Sequence, residues 1–128
     1  MITLVPTSWA ALEAALRERR PVRVTYHGHE RVLCPHALGW KNGRQMLLGF
    51  QTGGWTSAGT LDADPRKRWR CLFIDEVEKV VSEPGKVWAS ADNYDHTRPF
   101  SSIADVAVAV PAGGTRQAKL GTTRRAPK

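Results

Sequence analysis

The densest run of chemically capable side chains is Arg66-Lys67-Arg68-Trp69-Arg70, four cations around one indole. Guanidinium groups grip phosphate oxygens in pairs, and an adjacent aromatic ring offers a face on which a base stacks, worth ~1–3 kcal/mol per base. Lys41 and Arg44 flank Asn42-Gly43 and bring two more charges to one turn. Gln51, at the end of the next apolar run, carries an amide that can read a base edge. Trp40 and Trp55 are further stacking surfaces. A plainer reading stands beside this one. A cationic run at a strand start makes a solvated face, and Trp69 and Trp40 fall where packing would bury them.

Catalytic chemistry has less support. His27-x-His29 and Cys34-x-His36 present four zinc-type donors on neighbouring segments. They lack the C-x₂₋₄-C or H-x₃₋₅-H spacing of structural zinc sites, so solvent-facing histidines and a buried thiol account for them. Asp62-x-Asp64 and the stretch Asp92 to Asp95 have no partnered nucleophile or base, and His96 has no triad-like company. The glycine pairs at 53–54 and 113–114 match neither a phosphate loop nor a dinucleotide fingerprint. A non-catalytic protein without metal or other cofactor is expected.

The elements that would position these groups follow from periodicity. Thr7 or Ser8 can cap a helix in which Trp9, Leu12 and Leu16 form one stripe, and Pro21 stops it. The period then changes to two: Val22, Val24 and Tyr26 alternate with Arg23, Thr25 and His27, which predicts a half-buried strand with Tyr26 on its inner side. Arg31–Cys34 reads as a second strand ended by Pro35, and Ala37–Trp40 as a third apolar stretch. Asn42-Gly43 predicts a two-residue hairpin turn into a strand over Gln45–Gln51. A polar loop with an exposed Trp55 runs from Thr52 to Arg68. Trp69–Ile74 is the next strand, and Val77–Val81 begins a short one. Close-spaced short strands behind one helix predict a small barrel.

Composition sets the outer limits. The 128 residues are 41% apolar and 24% charged, enough for one core. No stretch approaches the ~18 apolar residues of a membrane helix, so no membrane association is expected. Met1-Ile2-Thr3-Leu4-Val5-Pro6 has no basic leader region, and there are only two cysteines, so the expected location is the cytoplasm. The net charge of +7 is unevenly placed: Arg116, Lys119, Arg124, Arg125 and Lys128 carry +5 of it with no acid after residue 111. That Gly- and Thr-rich tail has no aromatic residue and is expected to be disordered. The organisation read from the chain is a helix-led barrel over residues 1–81, an extension over 82–111 that packs back on it, and a basic tail over 112–128.

Four segments, in order, resemble the WYL domain, found in bacterial transcription regulators and CRISPR-associated proteins. Arg20-Pro21-Val22-Arg23-Val24-Thr25-Tyr26 is similar to its opening strand, and Arg31-Val32-Leu33-Cys34-Pro35-His36-Ala37-Leu38 to its R-x-x-x-P-x-x-L segment. Gly43-Arg44-Gln45-Met46-Leu47-Leu48-Gly49-Phe50 takes the place of G-R-W-Y-L-x-A-x, and Arg70-Cys71-Leu72-Phe73-Ile74-Asp75-Glu76-Val77 that of R-x-F-R-L-D-R-I. The resemblance covers roughly residues 10–81. It implies a mainly β fold, a five-stranded Sm-like (SH3-type) barrel with a leading N-terminal α-helix. Two departures stand out. Met46-Leu47-Leu48 replaces the name-giving Trp-Tyr-Leu, and Glu76-Val77 replaces the late Arg-Ile.

By matching position the resemblance implies ligand-binding roles for Arg31, Arg44 and Arg70, with Tyr26 at a family-like place. Added to the residue-based candidates Arg68, Trp69, Gln51 and Lys41, they describe a ligand-binding or sensing module for single-stranded nucleic acid or a nucleotide, acting in transcriptional or defence regulation. For Arg31 and Arg70 the competing reading is ion pairing with Glu30, Asp75 or Glu76. The competing function is a protein-interaction or homo-oligomer subunit that docks through a barrel edge or the Trp88/Tyr94 region.

Overall fold

The computed structural model describes residues 8–56, 59–83, 85–94 and 103–111. Thr7 and the basic tail lie outside them. Helix α1 spans Ser8–Glu18, with Leu12, Ala15 and Leu16 buried. Its end is a Schellman turn. Arg19 takes the left-handed conformation (φ 52°), Arg20 N–H donates to the Ala15 carbonyl (2.8 Å), and Pro21 follows.

Six antiparallel strands form one sheet: β1 Val22–Tyr26, β2 His29–Lys41, β3 Arg44–Gly54, β4 Trp69–Phe73, β5 Val77–Ser82 and β6 Asp105–Ala109. Their order is β4-β3-β2-β1-β5, and β6 pairs with β2. No ladder joins β4 to β5 among the described residues, so the sheet is open rather than a closed five-stranded barrel. The expected helix-led, mainly β architecture holds.

Pro35 does not end a strand. β2 runs thirteen residues through it. β2 pairs with β1 through Leu33 and with β6 from Ala37, and its register against β3 shifts between Pro35 and Ala37. Proline, having no N–H to give, sits where β2 changes neighbours and bulges. It ends the pairing with β1 instead of the strand. At Asn42-Gly43 both residues have positive φ (53° and 79°), as the expected turn requires.

Alternation along the strands builds two apolar clusters on two faces. Leu47 and Leu38 join Val22, Val24, Tyr26, Leu33, Leu72 and the helix in one. Met46, Leu48 and Ala37 join Tyr94 and Ile103 in the other, with Trp69 and Phe73 against them. Residues Met46–Gln51 are buried without a break because both faces of β3 are covered. The segment after β5 lies on the domain. His36 stacks on Trp88 (4.8 Å) and meets Trp69 and Tyr94 edge-on, while the Tyr94 hydroxyl donates to the Val110 carbonyl (2.6 Å). Trp88 and Tyr94 are thus used in packing and do not form an open docking surface.

Candidate functional site

The same alternation decides which candidate residues meet. Arg31 is opposite Val24 and two residues from Leu33; Arg70 is opposite Gly49 and two from Leu72; Gln51 follows Leu47 and Gly49 by twos. All three, with Tyr26, fall on the face of the first cluster, at its margin. Arg44 is in step with Met46 and Leu48, on the other face and at the opposite end of β3.

Arg31 is 5% exposed, and its Nε is buried without a hydrogen-bond partner. Its guanidinium lies over the Tyr26 ring, 5.5 Å from the centroid. Among the described residues it makes no ion pair: Glu30 pairs with Arg23, and Asp75 and Glu76 hold Arg44. Burial, with the charge of Arg70 adding to it, holds Arg31 below the usual arginine range. Tyr26 is a core ring whose hydroxyl accepts from Phe73 N–H (3.1 Å), and burial pushes its ionisation above the usual phenol range.

Arg70 is fixed by neutral groups. Its Nε donates to Gln51 Oε1 (3.1 Å), and its Nη1 to the Lys67 and Trp69 carbonyls (2.9 and 3.0 Å). Gln51 is fully buried, and its Nε2 donates to the Gly53 and Trp55 carbonyls (2.9 and 3.1 Å). Its amide is therefore spent inside the protein and orients Arg70; it does not face a base. Two guanidinium groups thus share one sheet face with no carboxylate between them among the described residues. A buried cation without an anion is unfavourable, and an anionic ligand placed there would relieve both charges.

The remaining candidates are placed elsewhere. Arg44 binds Asp75 bidentately (2.7 and 3.2 Å) and Glu76 (2.8 Å), and stacks on Phe73 (3.6 Å to the centroid). Those carboxylates raise it above the usual arginine range. Arg68 donates to the Asp62 and Ala63 carbonyls and closes the loop before β4. Trp69 packs against Tyr94, His36 and Phe50 and donates to Asn93, so its faces are occupied and it is not a free stacking surface. Lys41 is exposed at the hairpin end, away from the Arg31–Arg70 pair. Arg66 of the basic run binds Asp92 through two hydrogen bonds (2.7 and 2.9 Å). Of the run, Arg66 is ion-paired, while Arg68 and Arg70 are held by carbonyl and amide oxygens, a division its composition did not disclose.

Nor do the histidines and cysteines gather. No group of three or more metal-type side chains is present among the described residues. His36 donates through Nδ1 to the Cys34 carbonyl (2.7 Å) and its Nε2 accepts from Ser90 Oγ (2.9 Å); burial pushes it down to about 4. Cys34 is buried and its thiol is pushed up to about 11, whereas Cys71 is exposed. No helix among the described residues is long and apolar enough to cross a membrane.

Fold and site together define a small open β-sheet domain with a paired-arginine margin. Its fold is similar to part of proteasome accessory factor B/C (PafBC) of Arthrobacter aurescens, with a TM-score of 0.53 and 16% identity over 75% of this chain. The chain spans 14% of that protein's length. No family model and no curated protein matches the sequence.

Proposed function

We propose that this chain is a non-catalytic, ligand-sensing module of the WYL type that binds single-stranded nucleic acid or a nucleotide through Arg31 and Arg70. One observation carries the reading: a buried arginine and a neighbouring arginine, both oriented by the fold, lie at one margin of the sheet with no acid among the described residues to neutralise them. A phosphate group supplies the missing charge and fits the planar donor fork. The similarity to proteasome accessory factor B/C bears on the fold alone, and the regulatory context rests on the sequence resemblance to WYL domains.

Salt titration of binding to a labelled single-stranded oligonucleotide tests it. Affinity falls linearly with salt on logarithmic axes, and Arg70→Ala lowers the slope by about one. Wild-type protein that binds neither DNA nor RNA strands at low salt would overturn the reading.

A second reading, an interaction subunit, is favoured by another region. Trp40 and Val106 are each 38% exposed, Trp9 stacks on Trp40 (5.0 Å), and β6 has one unpaired edge among the described residues. Light scattering that shows a stable dimer, dissociated by Trp40→Ser, would support that role.

A further inference from the structure

Trp55 is the aromatic residue that the paired-arginine site leaves unexplained. It is 56% exposed, and no ring contact involves it among the described residues. A large ring left in water is unremarkable by itself, but the backbone here is held in place on both sides. Trp55 N–H donates to the Glu30 carbonyl (3.0 Å), directly before Arg31, and the Trp55 carbonyl accepts from Gln51, whose other end orients Arg70. Gly54 makes this approach possible. It has φ 83°, and a Cβ there would lie 2.2 Å from the Glu30 carbonyl oxygen. Beyond Trp55, Thr56 and Gly59 exchange backbone hydrogen bonds (2.7 and 3.0 Å) that close the segment. The Trp55 backbone is therefore tied to the residue before Arg31 on one side and to the Gln51 amide that holds Arg70 on the other, which places the exposed indole at the margin where the two arginines lie.

Resting on the anion-binding reading above, we infer that Trp55 is the specificity-determining residue of this site and selects ligands that carry a nucleobase beside the phosphate. Arg31 and Arg70 take the phosphate, and the indole stacks on the base. Gln51 is a positioning residue that fixes the Arg70 fork and the Trp55 backbone with one amide. A bare phosphate or an abasic strand satisfies the arginines alone. A mononucleotide and a single strand share the required chemistry, and strand length separates them in the test.

The experiment measures binding of the full chain to a labelled thymidylate octamer, an abasic octamer of equal charge, and thymidine monophosphate as competitor. Trp55→Ala, Trp55→Phe and Arg31→Met are compared with wild type. Trp55→Ala weakens the base-bearing octamer by about tenfold, as expected for one lost stacking contact, and leaves the abasic octamer unchanged. Trp55→Phe, which keeps a ring, retains most of the affinity. Arg31→Met weakens both strands. Base-bearing ligand quenches tryptophan fluorescence in wild type, and that quench is lost in Trp55→Phe while the far-ultraviolet spectrum is unchanged. Competition by the monophosphate at similar affinity identifies a nucleotide site; its failure identifies a strand site. Equal wild-type affinity for the two octamers, with no effect of Trp55→Ala, sinks the role of Trp55 but leaves the anion site standing. Absence of binding to either octamer, or no effect of Arg31→Met on either, sinks the anion site itself.

Discussion

Arg31 and Arg70 stand on one face of the sheet, on strands β2 and β4 with β3 between them, and each is held without a carboxylate among the described residues. Their charges act on each other, and the effect on Arg31 adds to that of burial. Two like charges at the margin of an apolar cluster are retained at a cost to stability, and that cost separates function from folding in the variants below.

Arg31→Met removes a buried cation and keeps a long, flexible side chain. Because its one facing group is the Tyr26 ring and no carboxylate among the described residues pairs with it, thermal stability is unchanged or rises, in contrast with the several-kcal/mol loss typical when a paired buried charge is orphaned. Oligonucleotide binding is weakened at the same time. A melting curve shifted clearly downward would show that Arg31 has a structural partner after all.

Arg44→Ala separates the two faces. Arg44 is saturated by Asp75 and Glu76 in water-exposed pairs. Its removal lowers thermal stability slightly, and the salt slope of binding stays that of wild type, whereas a phosphate contact would change it by about one. A lowered slope would place Arg44 in the interface.

Acid stability follows from His36, which is buried neutral and pushed down to about 4. An unfolded chain carries histidine near 6.5, so between those values the unfolded state binds more protons and stability rises with pH. The contribution is fully present above about 6.5 and fades on acidification to about 4, amounting to about 3 kcal/mol. Denaturant midpoints between pH 7 and 4 read it, and His36→Gln flattens the profile.

Gly54→Ala tests the close approach of β3 to β2. Positive φ and the Glu30 carbonyl both oppose a side chain, so a loss of roughly 1–3 kcal/mol is expected by denaturant unfolding. Gly43→Ala, at a turn with open space, loses less.

Thiol labelling distinguishes the cysteines. Cys71 is exposed and reacts in the folded protein, and Cys34, protonated and buried, accepts Ala89 N–H and reacts only on unfolding. Mass spectrometry counts one adduct under native conditions and two in denaturant.

Much of this architecture was written in residue order. Period-two alternation in Val22–Tyr26 and in Arg70–Leu72, the 3.6-residue stripe of α1 and the Asn42-Gly43 turn are local consequences of side-chain shape and backbone sterics. They also set the parity by which Arg31, Tyr26, Gln51 and Arg70 fall in step with the first apolar cluster and Arg44 with the second. What alternation could not reveal was long-range neighbourhood. β6, 65 residues after Trp40, completes β2 through a ladder that a strand of Asp105-Val106-Ala107-Val108-Ala109 does not announce. Nor could charge counting show that Asp92 would neutralise Arg66, or Asp75 and Glu76 Arg44, because ion pairs join residues 26 to 32 positions apart. Composition alone determined that the chain is basic. Tertiary structure decided which arginines remain without an anion, since only folding sets which charges are close enough to cancel.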